Sequence, residues 1–162
     1  MRCVIAYSLA LLVLAPAAQA GVWLEGTGTT ILSTNNQALG SASVGYAFPQ
    51  GFVLAAEGLT SINGWTAEHT WAIGPKGGLL IQGFELSAAY LPFAYDYEGA
   101  STFQGGGFTL NLGYTFPIFR GFRAGLLATY SLESFTSENG QNLPTPRSLT
   151  QFAPQVAITI EI

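Results

Sequence analysis

Glu57, Glu68 and Glu85 stand on three consecutive stretches in which apolar and polar side chains alternate. A β-strand has a side-chain period of two, so each class takes one face. On that phase the three carboxylates share the polar face, at similar height above the nearest Pro/Gly reversals, with no Lys or Arg beside them. Three carboxylates crowded into one narrow space cannot all ionise cheaply. Three arrangements would relieve them: shared protons and hydrogen bonds from Thr66, Thr70 and Ser87; a bound cation; or water in a narrow cation-selective path. Their spacing matches no metal-ligand motif.

A second group forms if the first and last strands adjoin. Glu25, Arg123 and Glu161 then meet near one rim as a buried salt-bridge group, read structurally as charge pairing and functionally as a gate. Hydrolytic catalysis needs a histidine between a nucleophile and an orienting carboxylate. His69 is the one histidine; it falls on the apolar face between Ala67 and Trp71, with Gly58 and Phe84 or Leu86 as expected neighbours. No serine or carboxylate is placed to partner it, so neither catalytic residues nor a cofactor or metal are expected. The stretch 92–106 carries Phe93, Tyr95, Asp96, Tyr97, Glu98 and Phe103. Exposed aromatics often mark a binding surface, or they extend the strands and pack on one another. The stretch 134–150 is polar and Pro-rich, a plain surface loop.

Eight strands must position these residues, near 22–32, 39–48, 52–62, 65–74, 79–91, 107–116, 121–133 and 151–162. The stretch FTLNLGYTF (108–116) alternates fully, with Phe108, Leu110, Leu112, Tyr114 and Phe116 against Thr109, Asn111, Gly113 and Thr115. YAFPQGF (46–52) and YTFPIFRGF (114–122) share aromatic-x-Phe-Pro, a short turn and Gly-Phe, and AIGPKGGLL (72–80) reads as a looser third reversal. Proline lacks a ladder donor and glycine permits positive φ, which suits tight turns. At the other end, a short connection lies near Asn63-Gly64 and two long loops span 92–106 and 134–150. Aromatics gather at two depths: Tyr46, Phe48, Phe52, Trp71, Tyr114, Phe116 and Phe122 toward the short turns; Trp65, Tyr90, Phe108, Tyr130 and Phe152 toward the loops.

Composition decides which face is wet. Charged residues make up 9% of the chain, against about 25% in ordinary soluble domains. The face opposite the aromatics is small and weakly polar, suited to a crowded barrel interior rather than a solvated surface. The apolar face therefore points outward, into lipid. The chain opens MRCVIAYSLALLVLAPAAQA, with a basic residue, an apolar run and a small-x-small cleavage site, the pattern of a secretory signal peptide over residues 1–20. Cys3 leaves with it, so no disulfide framework is available. Its removal leaves four basic against nine acidic residues, net −5, and gives nucleic-acid binding no support.

The signal, the eight alternating strands, the Pro-Gly turns and the outward-alternating last strand (Phe152, Pro154, Val156, Ile158, Ile160, Ile162) together resemble the eight-stranded outer-membrane barrels of the OmpA transmembrane-domain and OmpX type. The resemblance is architectural and covers residues 21–162; it departs from many such proteins in ending on Ile162 rather than an aromatic. It implies an all-β, eight-stranded antiparallel up-and-down transmembrane barrel, monomeric, with both mature termini periplasmic. Its partners would be outer-membrane lipids, the barrel-assembly machinery and an extracellular or envelope protein. The expected function is non-enzymatic, structural or loop-mediated; the alternatives are a narrow small-solute or cation channel and an envelope lipid-modifying enzyme. A soluble lipocalin-like barrel is the competing fold and would place the large residues inside.

Overall fold

The computed structural model describes residues 21–31, 37–63 and 68–162. Residues 1–20, the reversal at Gly64, and Trp65 and Thr66 lie outside the described residues. The described chain forms eight antiparallel strands in a closed ring: β1 (Gly21–Ile31), β2 (Gln37–Ala47), β3 (Phe52–Asn63), β4 (Glu68–Ile81), β5 (Phe84–Glu98), β6 (Ser101–Phe119), β7 (Phe122–Glu138) and β8 (Gln141–Glu161). Every strand pairs with its sequence neighbours, and β1 with β8 closes the ring. No helix among the described residues is long and apolar enough to cross a membrane.

The alternation read from sequence holds on most strands. On β6, Phe108, Leu110, Leu112, Tyr114 and Phe116 face out, while Thr109, Asn111 and Thr115 are buried. On β8, Phe152, Val156, Ile158 and Ile160 face out and Ala153, Gln155, Ala157 and Thr159 face in. Most of the large apolar side chains are thus on the outside. The interior holds Glu25, Glu57, Lys76, Glu85, Asp96 and Glu133, all buried.

Two sequence expectations about the connections are overturned. The stretch 72–80 is no turn; it is the interior of β4, and the reversal falls at Gln82-Gly83. The Leu80 N–H bonds the Gly51 carbonyl on the β3 side, so positions 79, 77 and 75 address β5. There the ladder is interrupted between Ile73 and Lys76, because β5 carries an extra residue at Pro92-Phe93. Pro75 therefore sits where its missing donor removes no regular bond. The long loops are also strands. β5 and β6 run on to a turn at Gly99-Ala100, and β7 and β8 to a turn at Asn139-Gly140. Both termini and the turns at 48–51, 82–83 and 120–121 share one rim. At the other rim the β5–β8 wall stands far taller than β1–β3, at 15–21 residues per strand against 11–12.

The seam between β1 and β8 is the shortest, from Trp23–Glu161 to Gly28–Val156. Ile162 exchanges both backbone hydrogen bonds with Val22, so even-numbered residues of β8 address β1. The next bonded position would be Pro154, which has no N–H to give.

Candidate functional site

Strand by strand, the interior side chains fall into layers. Nearest the short turns, Trp23, Ala47, Val53, Ala55 and Leu80 form an apolar floor. One step up stands the charged layer: Glu25 on β1, Glu57 on β3, Lys76 on β4 and Glu85 on β5. Above it Leu39, Leu59, Leu91, Phe103 and Phe135 belong to a second apolar layer, against which Leu143 and Leu149 pack. The loop end is capped by Asp96, Glu98, Arg147, Thr70 and Ser61.

Lys76 organises the charged layer. Its Nζ, 1% exposed as a residue, lies 2.7 Å from Glu25 Oε1, 3.2 Å from Glu57 Oε2 and 3.3 Å from Glu85 Oε1. It also stands 5.0 Å from the centroid of the Trp23 ring below. Glu57 is the best-served carboxylate. Its Oε1 accepts from Thr109 at 2.7 Å, and its Oε2 from Ser43 at 3.5 Å and Asn111 at 3.4 Å. Ser87 donates to Glu85 Oε1 at 2.7 Å. Thr129 joins the network: its Oγ1 lies 2.8 Å from Asn111 Oδ1 and 2.9 Å from Gln155 Oε1, and its one proton is donated to one of them at a time. Buried charges persist when paired and hydrogen-bonded, and the network supplies both from all eight strands.

Glu57 and Glu85, expected together from the sequence, both reach the Lys76 ammonium, and Ser87 donates to Glu85. The sequence reading missed Lys76, which it had assigned to a turn, and it placed Glu68 with them. Because β4 begins at Glu68 and runs through Pro75, Glu68 stands eight residues from Lys76, at the loop end with Asp96 and Arg147. Thr70 donates to Asp96 Oδ1 at 2.9 Å rather than to the charged layer. One signal would have found the true turn: Gly51-Phe52, Gly83-Phe84 and Gly121-Phe122 are the same Gly-Phe step, and all three glycines have positive φ (86°, 93° and 74°).

The expected Glu25–Arg123–Glu161 group does not form. Glu25 turns to the Lys76 ammonium instead, at 2.7 Å. Arg123 stays at the rim, donating from Nε to Thr115 Oγ1 at 3.1 Å and from Nη2 to the Thr115 carbonyl at 2.7 Å. Among the described residues no ion pair joins it to Glu25 or Glu161.

The expected loop-binding residues divide between the two faces. Phe93 and Tyr97 are exposed on the outer wall, and Tyr95 stacks on Trp71 with centroids 4.6 Å apart. Trp71 thus belongs to the loop-end belt, not the short-turn one. Asp96 and Phe103 point inward and are buried. Arg147 lies over the Phe103 ring at 4.7 Å, reaches Asp96 Oδ2 at 3.5 Å and bonds Glu98 Oε2. The hydrogen bond that Arg147 donates to the Glu98 carboxylate holds its guanidinium above its usual range. His69 is exposed on the outer face as expected, but its strand neighbours are Ile62 and Tyr97, and its Nε2 lies 3.3 Å from Thr60 Oγ1.

No protein-family model matches this chain, and neither does any curated protein or solved structure.

Proposed function

We propose that this protein is an integral outer-membrane β-barrel with a sealed interior, non-enzymatic, whose role is to support the envelope or to present its tall loop-end hairpins to a partner. One observation carries the reading: the barrel is inside out by the standards of a soluble protein. Lys76 is 1% exposed while Leu126 and Phe152 are each 66% exposed. In water such a surface would aggregate; in hydrocarbon it is the stable arrangement. The aromatics fit the same frame. Phe48, Phe52, Phe84, Phe116 and Phe119 ring the short-turn end, and Trp71, Tyr90, Phe93, Phe108, Tyr130 and Phe152 ring the outer wall toward the loop end. Girdles of aromatic residues flank the apolar band of outer-membrane barrels at both interfaces. In this reading residues 1–20 are the cleaved signal, the short turns and termini face the periplasm, and the hairpins face outward.

The sealed interior follows from the layers. An eight-stranded barrel is just wide enough to be filled by its own side chains, and here an ionic layer is closed between two apolar ones. A narrow cation channel is the second reading, favoured by three lumen carboxylates against one ammonium. The decisive experiment combines gel mobility of the membrane fraction, boiled and unboiled, with single-channel recording of the refolded chain. A heat-shifted band in the outer membrane with no discrete openings supports the sealed barrel. Discrete cation-selective openings that change with Glu57→Gln support the channel. A soluble periplasmic protein with no shift rejects both.

A further inference from the structure

We propose that the ring opens at the β1–β8 seam, and that Lys76 is the latch that holds β1 in place. The inference rests on the register of the ring and holds whatever surrounds the barrel.

The backbone ladder is shortest there. β1 pairs with β2 over eleven residue pairs, from Gly21–Ala47 to Ile31–Gln37, but with β8 over six. Even-numbered residues of both strands carry the seam bonds, since Val22 and Ile162 exchange both of theirs. On that parity Leu24 bonds toward Ile160, Gly26 toward Ile158 and Gly28 toward Val156. The next position would set Thr30 against Pro154, which has no donor to give, and the pairing stops one step below it.

Side chains add little across this line. On the outer face the cross-strand neighbours of Ile158 and Val156 are glycines, and a Cβ at Gly26 or Gly28 would meet nothing within 4 Å. A groove of about 790 Å³ lies over them, bordered by Leu24, Val44 and Ile160. Cross-strand side-chain pairs are what stabilise neighbouring strands, and the seam forgoes two of them. On the inner face the polar groups turn elsewhere. Thr27 meets Ser41 on β2, Glu25 accepts from Lys76 on β4, and Gln155 meets Thr129 on β7. Among the described residues no side-chain hydrogen bond or ion pair joins β1 to β8. Trp23 Nε1, Glu25 Oε2, Gln155 Nε2 and Thr159 Oγ1 are buried along the seam with no hydrogen-bond partner.

What ties β1 to the far wall is Lys76. Its ammonium lies 2.7 Å from Glu25 Oε1 and 5.0 Å from the centroid of the Trp23 ring, and both residues stand on β1 within the seam. β1 is thus held by its ladder to β2, by the apolar floor around Trp23 and by one ion pair across the lumen. When that pair lets go, β1 swings away from β8 on β2 as on a hinge. Glu57 and Glu85 still face the ammonium, so Glu25→Gln releases the tie without stranding Lys76.

The test is native-state hydrogen exchange of the refolded full barrel in detergent micelles, read amide by amide. Successive amides of a strand serve different neighbours, so each seam strand carries its own control. Leu24, Gly26, Gly28, Val156, Ile158 and Ile160 address the seam; Glu25 and Thr27 address β2, and Ala157 and Thr159 address β7. The seam amides should exchange roughly tenfold or more faster than these neighbours. Glu25→Gln should speed the seam amides several-fold further and leave those of the β6–β7 ladder unchanged. Pro154→Thr, which returns a donor opposite Thr30, should slow them. If Glu25→Gln does not fold, Lys76→Arg, which lengthens the latch and keeps its charge, takes its place with the same expected result. Equal protection of seam amides and their neighbours, or no slowing in Pro154→Thr, would overturn the opening. A latch variant whose β6–β7 amides speed up as much as its seam amides would overturn the latch.

Discussion

Replacing Lys76 by methionine removes the one cation of the charged layer while keeping much of its volume. The ammonium makes three carboxylate contacts, at 2.7, 3.2 and 3.3 Å. At an effective dielectric of about 20, each represents about 5–6 kcal/mol of gross attraction. That sum is not a net stability, because all four groups gave up hydration worth several kcal/mol apiece. What the substitution exposes is the stranded remainder. Removing one partner of a buried ion pair costs about 3–5 kcal/mol, and three unneutralised carboxylates put Lys76→Met at or above the upper end. That is a large share of the roughly 5–15 kcal/mol that holds a domain folded. The assay is urea unfolding in lipid vesicles, read by tryptophan fluorescence and gel mobility. Adding Glu25→Gln and Glu85→Gln to Lys76→Met should restore much of the loss. A Lys76→Met barrel within about 1 kcal/mol of the parent, or no recovery on adding Glu25→Gln and Glu85→Gln, would refute the idea that this ammonium neutralises the layer.

Glycine positions separate inside from outside. A Cβ at Gly28 meets nothing within 4 Å, so Gly28→Leu should fold like the parent; at Gly113 a Cβ would lie 2.7 Å from the Leu127 Cα, so Gly113→Val should lose the heat-shifted band. Arg147→Ala removes a partly exposed ion pair and a ring contact, together worth about 1–2 kcal/mol; it should raise protease sensitivity of the β5–β6 and β7–β8 hairpins without changing the unfolding midpoint of the barrel. Glu57→Gln disturbs the most heavily bonded carboxylate and should cost about 1–3 kcal/mol in the same urea assay. His69→Ala, on the outer wall with Thr60 as its hydrogen-bond partner, should leave folding unchanged.

What the sequence determined by itself was the period and its phase. On β6, β7 and β8 a strict alternation sorts every side chain to one face or the other, because neighbouring residues of a strand must point to opposite sides. From that alone came the eight strands, the shared rim of the termini, and the inward turn of Glu25, Glu57, Glu85 and Glu133. Sequence could not rank local signals that compete. Pro75-Lys76-Gly77-Gly78 has the chemistry of a turn, and only the pairing of β4 with β3 on one side and with the bulged β5 on the other shows it to be wall. That single displacement moved Lys76 into the lumen and Glu68 to the rim. The hairpins at 92–106 and 134–150 are similar: one read as an aromatic-bearing loop and the other as a polar, Pro-rich one, yet β5 pairs with β6 and β7 with β8 through to their turns. Which charges meet across a barrel depends on stagger between strands far apart in sequence. Glu25 and Lys76 are 51 residues apart and 2.7 Å from contact to contact. Alternation fixes the side of the wall; register, set by every pair at once, fixes the height, and only the closed ring decides who stands opposite whom.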